Sequence, residues 1–186
     1  MKPWIVAAVT GFLVAAAPAW AQKIESAQSE IAFTIRQLGV PVEGRFTKFS
    51  GNIAFDPKKP DTGKVAFVID TASARFGAPE TDEEAAKAPW FNAARFPQAS
   101  LESTAIRAAG SGKYEVAAKL SIKGAARDVS VPVTLTKSGA VTFATGAFTI
   151  KRLDFKIGDG EWSDTSMVAN EVQVKFKLAL SGMAAL

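Results

Sequence analysis

From residue 31 onwards the chain alternates apolar with mostly polar or small side chains, and it does so in stretch after stretch. Ile31, Phe33 and Ile35 interleave with Ala32, Thr34 and Arg36, and Val65, Phe67 and Ile69 with Ala66, Val68 and Asp70. Tyr114, Val116, Ala118, Leu120 and Ile122 repeat the pattern, followed by Val129, Val131, Val133 and Leu135, and by Val172, Val174, Phe176, Leu178 and Leu180. A strand turns successive side chains to opposite faces, so each stretch is predicted to be a half-buried strand. In two further stretches the phase changes. Phe46 is followed by Phe49, Gly51, Ile53 and Phe55, and Val141 and Phe143 precede Phe148 and Ile150 with Gly146 between them. A one-residue change near glycine predicts a β-bulge in each, a device that bends a sheet toward closure.

Turn-forming residues fall between the stretches, at 56–63, 109–112, Lys123-Gly124 and 137–139, and the short ones suit antiparallel hairpins. Residues 81–88 differ: Thr81 offers an N-cap, acids follow it, the interior favours helix and Pro89 stops it. The expected fold is all-β, an antiparallel eight-stranded lipocalin-like β-barrel with one or two short helices, favoured over a sandwich by the bulges and the unbroken run of strands. Eight strands enclose room for packed side chains or one small ligand. Thr34, Arg36, Lys64, Glu115, Lys119, Lys175 and Lys177 occupy outward positions, where a membrane barrel needs an apolar band. The apolar face therefore points inward.

Residues 1–21 read as a secretory signal peptide cleaved after Ala21. Lys2 gives the positive start, residues 4–17 the apolar run, and Ala19 and Ala21 the small residues of the cleavage site. The apolar run is shorter than the roughly 20 residues that cross a bilayer, so the mature chain is expected to lack a transmembrane segment. Residues 22–186 are then one domain, exported to the periplasm.

The composition removes whole classes of chemistry. Without cysteine there is no disulfide, thiolate metal site, Cys nucleophile or lipid-anchoring thiol. Without histidine the commonest general base, the Ser-His-Asp arrangement and most transition-metal sites go too. The 22 Lys and Arg against 18 Asp and Glu, a net charge of +4, are spread without runs, which leaves no nucleic-acid footprint. Thirteen phenylalanines in the same chain favour holding an apolar ligand over bond chemistry.

The densest group of charged residues lies at 150–164, where Lys151, Arg152, Asp154, Lys156, Asp159, Glu161 and Asp164 precede or flank Trp162. Calcium is one reading, but the spacing lacks the distal acid of the helix-flanked calcium loop. A histidine-free hydrolase using Asp159 and Glu161 is another. The third is a structured loop with Arg152 and Asp154 as an ion pair. Tyr114 and Arg36 fit either a headgroup contact or, respectively, core and solvent.

Residues 33–39, Phe-Thr-Ile-Arg-Gln-Leu-Gly, followed by Gly44-Arg45-Phe46-Thr47-Lys48-Phe49-Ser50-Gly51, resemble the opening motif of the YceI-like family of bacterial periplasmic proteins. Trp90-Phe91-Asn92 with Phe96-Pro97-Gln98-Ala99, then residues 120–124, then the R-x-D-F and G-x-G-x-W elements between Ile150 and Trp162 agree in order. The resemblance implies a lipocalin-like barrel that binds a polyisoprenoid or similar long-chain lipid, with no catalytic residue, metal or separate cofactor. Gln37 stands where the family pattern usually has histidine. It can still hydrogen-bond but cannot titrate near neutrality or ligate as an imidazole.

On that basis the expected lipid-binding residues are Phe33, Ile35, Phe46, Phe67, Ile69, Leu120, Val131, Phe148, Ile150, Val174 and Phe176, with Gln37, Arg152 and Trp162 at a polar or aromatic mouth. The expected function is periplasmic binding, transport or sequestration of that lipid. The alternative is an isoprenoid-quinone-binding accessory to membrane electron transfer. No nucleic-acid partner is expected, and a homodimer stays open.

Overall fold

The computed structural model describes residues 21–184, so the predicted signal peptide lies, apart from Ala21, outside the described residues. The strands are β1 (Lys23–Ile24), β2 (Glu30–Gln37), β3 (Val40–Phe46), β4 (Phe49–Ala54), β5 (Lys64–Asp70), β6 (Ala74–Arg75), β7 (Gln98–Gly110), β8 (Lys113–Ile122), β9 (Ala125–Ser138), β10 (Val141–Lys151) and β11 (Val168–Ser181). One α-helix, α1 (Pro79–Ala86), follows β6. Every pairing is antiparallel, and the sheet runs β4-β5-β7-β8-β9-β10-β11-β2-β3-β6 with β1 added on β11. It curls strongly into a half-barrel around the apolar face.

The antiparallel β architecture is as the alternation predicts, with eleven strands in place of about eight. Besides the two-residue strands β1 and β6, two differences account for the change. The stretch from Phe46 to Phe55 is two strands: β3 ends at Phe46 against β2, and β4 starts at Phe49 against β5, at the opposite edge of the sheet. The phase change at Thr47-Lys48 is therefore a corner, fixed by Thr47 N–H donating to Ser73 O at 3.2 Å and Asp70 N–H to Lys48 O at 3.0 Å. β7 was hidden because its own register slips between Ser103 and Ala105, moving the inward face from Leu101 to Ile106. Such a slip breaks the period that reveals a strand.

On the β11 side no bulge forms at Gly146, while the ladder to β9 ends just before it, at Thr145↔Thr134. β10 pairs with β11 in unbroken register from Val141↔Ser181 to Lys151↔Glu171. Phe143 simply faces out, where the Lys177 ammonium sits 4.6 Å from its ring centre. Gly146 serves a different purpose, which it shares with two others. Phe33 lies opposite Gly44, Phe67 opposite Gly51 and Phe176 opposite Gly146, and a Cβ on any of these glycines would overlap the facing ring. Each ring lies back on bare backbone and becomes wall, so three phenylalanines face inward without filling the middle.

One end of the half-barrel is stapled by the N-terminal segment. Gln22 N–H donates to Ile53 O at 2.7 Å, Phe55 N–H donates to Gln22 Oε1 at 2.8 Å, and Ile24 pairs with Leu180. At the other end β2 finishes at Gln37, β10 at Lys151, and β11 begins at Val168. Helix α1 also lies on this side of the cavity. It starts at Pro79 and ends at Ala86, two residues earlier at each end than predicted, because proline suits the first helical position and Asp82, inside the helix, accepts from Phe76 N–H at 2.6 Å. No helix among the described residues is long and apolar enough to cross a membrane.

Candidate functional site

The curled sheet encloses a cavity of about 640 Å³ with an overwhelmingly apolar wall. β2 contributes Phe33, Ile35 and Gln37; β3 contributes Phe46; β5 contributes Phe67 and Ile69. Leu120 comes from β8, Val131 from β9, Phe148 and Ile150 from β10, and Val174 and Phe176 from β11. Arg152 and Trp162, from the segment between β10 and β11, complete the set, so the structure brings all fourteen sequence-predicted positions around one cavity. Period two made this legible: inward positions of a curled sheet share one space by construction.

Sequence reasoning missed the cover. Phe76, Glu80, Thr81, Glu84, Ala85, Trp90 and Phe91 also line the cavity. Rings run in contact from Phe76 to Phe33 (5.3 Å), to Phe46 (5.1 Å) and to Phe91 (5.7 Å), tying this cover to β2 and β3. Helix α1 reads as a solvated acidic helix, and nothing in its sequence distinguishes a helix lying across an opening from one on an outer surface. Trp90-Phe91, two adjacent large aromatics just after it, were the available signal.

Of the lining residues among those described, only Gln37, Glu80 and Thr81 are exposed, and they mark the opening. Tyr114 is buried at the stapled end, its ring edge-on to Phe55 at 5.0 Å, and Arg36 faces solvent with Nη1 donating to Gly39 O at 3.1 Å. Tyr114 therefore lies away from the mouth, while Arg36 is exposed on the hairpin strand next to Gln37, outside the cavity lining.

Arg152 corrects an expectation. Its side chain is fully buried, and every guanidinium N–H donates to a backbone carbonyl. Nε serves Ala169 (3.1 Å), Nη1 serves Ile157 (3.0 Å) and Gly158 (2.6 Å), and Nη2 serves Trp162 (2.7 Å) and Val168 (2.8 Å). There is no ion pair with Asp154, which is exposed. Five carbonyl dipoles replace a carboxylate, and all five donors are spent. Burial pushes the guanidinium pKa down, yet arginine stays charged at any ordinary pH. Lys123 does the same beside it, its ammonium donating to Pro89 O at 3.0 Å, Lys156 O at 2.6 Å and Asp159 Oδ1 at 3.4 Å. Together these cations knit the rim and hold Trp90 against Trp162, ring centres 5.4 Å apart.

Gly158 fits this knot because φ is +64° and a Cβ there would sit 2.5 Å from Arg152 Nη1 and 2.8 Å from Trp90 Cζ3. Gly158→Ala is expected to cost about 2–3 kcal/mol and lower the melting temperature by roughly 5–10 °C, read by circular dichroism.

The remaining polar groups are few. Glu84 pairs with Lys87 at 2.7 Å, and Glu80 is free of ion pairs among the described residues. Trp90 Nε1–H is buried without an acceptor among the described residues. Asp159 and Glu161 are exposed, and among the described residues no three acids gather as a metal site would need.

The YceI-like domain model matches residues 22–180. The chain belongs to the YceI-like family. Among solved structures, BcnA of Burkholderia cenocepacia is 44% identical, with a TM-score of 0.82 over 84% of this chain and 99% of that one. A polyisoprenoid binding domain from Saccharophagus degradans, implicated in plant cell wall breakdown, shares the fold at 17% identity, with a TM-score of 0.71 over 87% of this chain and 98% of that one. A UPF0312 protein of Yersinia pestis is 35% identical over 116 residues, 62% of this chain and 60% of its own length. The matched stretch thus spans about three-fifths of that relative's length.

Proposed function

We propose that this protein binds the hydrocarbon chain of a polyisoprenoid, or of a comparable long-chain lipid, in the half-barrel cavity, and carries or sequesters it in the periplasm. The observation that carries the reading is an apolar cavity of about 640 Å³ kept open by phenylalanines that lie on glycine. A space of this size is within the range of small-molecule sites. Each methylene moved into it from water gains about 0.8 kcal/mol, so ten carbons supply about 8 kcal/mol before the cost of immobilising them. The likeness to the polyisoprenoid binding domain from Saccharophagus degradans supports the same reading. Asp159 and Glu161 are exposed and outside the cavity lining, and Asp159 accepts from Lys123, which favours a binding protein over a hydrolase.

The mouth suits an uncharged headgroup. Among the described residues its one lining cation, Arg152, has no free donor, and the other charged lining residues, Glu80 and Glu84, are carboxylates. A second reading, an isoprenoid quinone serving membrane electron transfer, draws support from Trp90 Nε1–H, a buried donor for which a quinone carbonyl is a fitting acceptor. Organic extraction of protein purified from its native host, followed by mass spectrometry, is expected to give near-stoichiometric long-chain lipid. Repeated empty extracts would overturn the proposal. A redox difference spectrum of the extract separates the readings, since only a quinone responds.

A further inference from the structure

The hairpin joining β2 to β3 breaks two local rules at one residue. Gln37 pairs with Val40, which leaves Leu38-Gly39 as a two-residue turn, and both have positive φ, 49° and 80°. That turn prefers Asn-Gly, because a left-handed backbone conformation is costly for a side chain such as leucine. Leu38 is also 71% exposed, so burial gives nothing back. Lys123, in the same backbone region, is held there by three hydrogen bonds from its ammonium. The Leu38 side chain has no such return.

It is not alone. The exposed large hydrophobics among the described residues are Leu38, Val40 at 62% and Met167 at 45%. They form one patch: Leu38 N–H donates to Met167 O at 2.8 Å, and Gln37 pairs with both Val40 and Val168. The patch therefore surrounds Gln37, one of the three exposed residues of the cavity lining. Departures from local rules that gather at one point mark function more often than accident.

We infer that this tip docks on a lipid bilayer, seating the cavity mouth in the interfacial region so that a lipid passes between membrane and cavity without crossing water. The inference rests on the lipid-binding reading for its purpose but not for its measurement. Leu38, Val40 and Met167 enter the acyl boundary, while Arg36, exposed one residue before Gln37 with its guanidinium on Gly39 O at 3.1 Å, stays at headgroup level. A second copy of the chain is the weaker occupant, because a stable protein interface recruits roughly 20–30 residues a side and this patch has three.

The test is the full mature chain carrying Leu38→Asn, Val40→Thr and Met167→Gln, none of which lines the cavity. Asparagine accepts the positive φ at position 38, so the hairpin is retained. Two readouts use phosphatidylcholine vesicles: co-flotation, and the transfer rate of a fluorescent long-chain prenol. A third is equilibrium binding of farnesol in solution. Flotation and transfer are expected to fall by about tenfold or more, from three side chains no longer leaving water, with farnesol affinity unchanged. Transfer at the wild-type rate overturns the inference, as does a wild-type dimer that the substitutions dissociate. If neither protein binds farnesol or the prenol, the lipid-binding reading fails, while flotation still decides docking.

Discussion

Arg152→Met is expected to destabilise the fold by about 4–5 kcal/mol, beyond the usual range of single substitutions, and to lower the melting temperature by roughly 10–20 °C. The side chain is 0% exposed and its five N–H groups serve carbonyls spread from Ile157 to Ala169. Methionine fills comparable space but donates nothing, and each buried carbonyl left without a donor costs about 1–3 kcal/mol. The full sum is not reached, because removing a buried charge recovers its desolvation cost and the loop relaxes toward water. Arg152→Lys is the informative companion. An ammonium has three donors, so at most three of the five carbonyls are served and an intermediate melting temperature follows. If Arg152→Met melts within about 2 °C of wild type, a span set by roughly 1 kcal/mol, the guanidinium does not tie the rim together.

What the sequence could and could not disclose follows from the range of each interaction. Inward-facing residues such as Phe67, Leu120 and Val174 are legible because period two is a property of a few neighbouring residues. β7 was not, since the slip near Thr104 depends on its pairing with β8. The corner at Thr47-Lys48 shows the same limit: a bulge and a change of sheet edge look identical along the chain and differ only in the partner strand. Arg152 is the sharper case. A charged residue beside Asp154 suggests a local ion pair, yet its partners are carbonyls whose convergence is created by the loop they stabilise. No residue type signals a carbonyl, because every residue has one. The cover formed by α1 and Trp90 is hidden for the related reason that an acidic helix has the same composition over an opening as over solvent.

Blocking the deep half of the cavity separates a lipid carrier from a barrel that is merely well packed. Ala144 is buried on the inner face of β10, aligned with Leu135 of β9 and Leu178 of β11, nearer the stapled end than the mouth. Ala144→Phe adds a ring to the cavity and displaces about four methylenes' worth of ligand, or roughly 3 kcal/mol, so affinity for a long prenol is expected to fall about a hundredfold. The fold should survive, since the ring enters existing space and not a filled core; overpacking a filled core would instead cost about 1–3 kcal/mol. Chain length supplies the decisive comparison. In the wild type, affinity should rise steadily with each added isoprene unit until the cavity is full. In the variant the same series should rise at first and then level off early, because the mouth half is untouched. Short prenols should bind both proteins alike. If the variant instead loses stability and binds every chain length as the wild type does, the space around Ala144 is not where the tail lies, and the ligand sits near the rim between Gln37, Trp90 and Trp162.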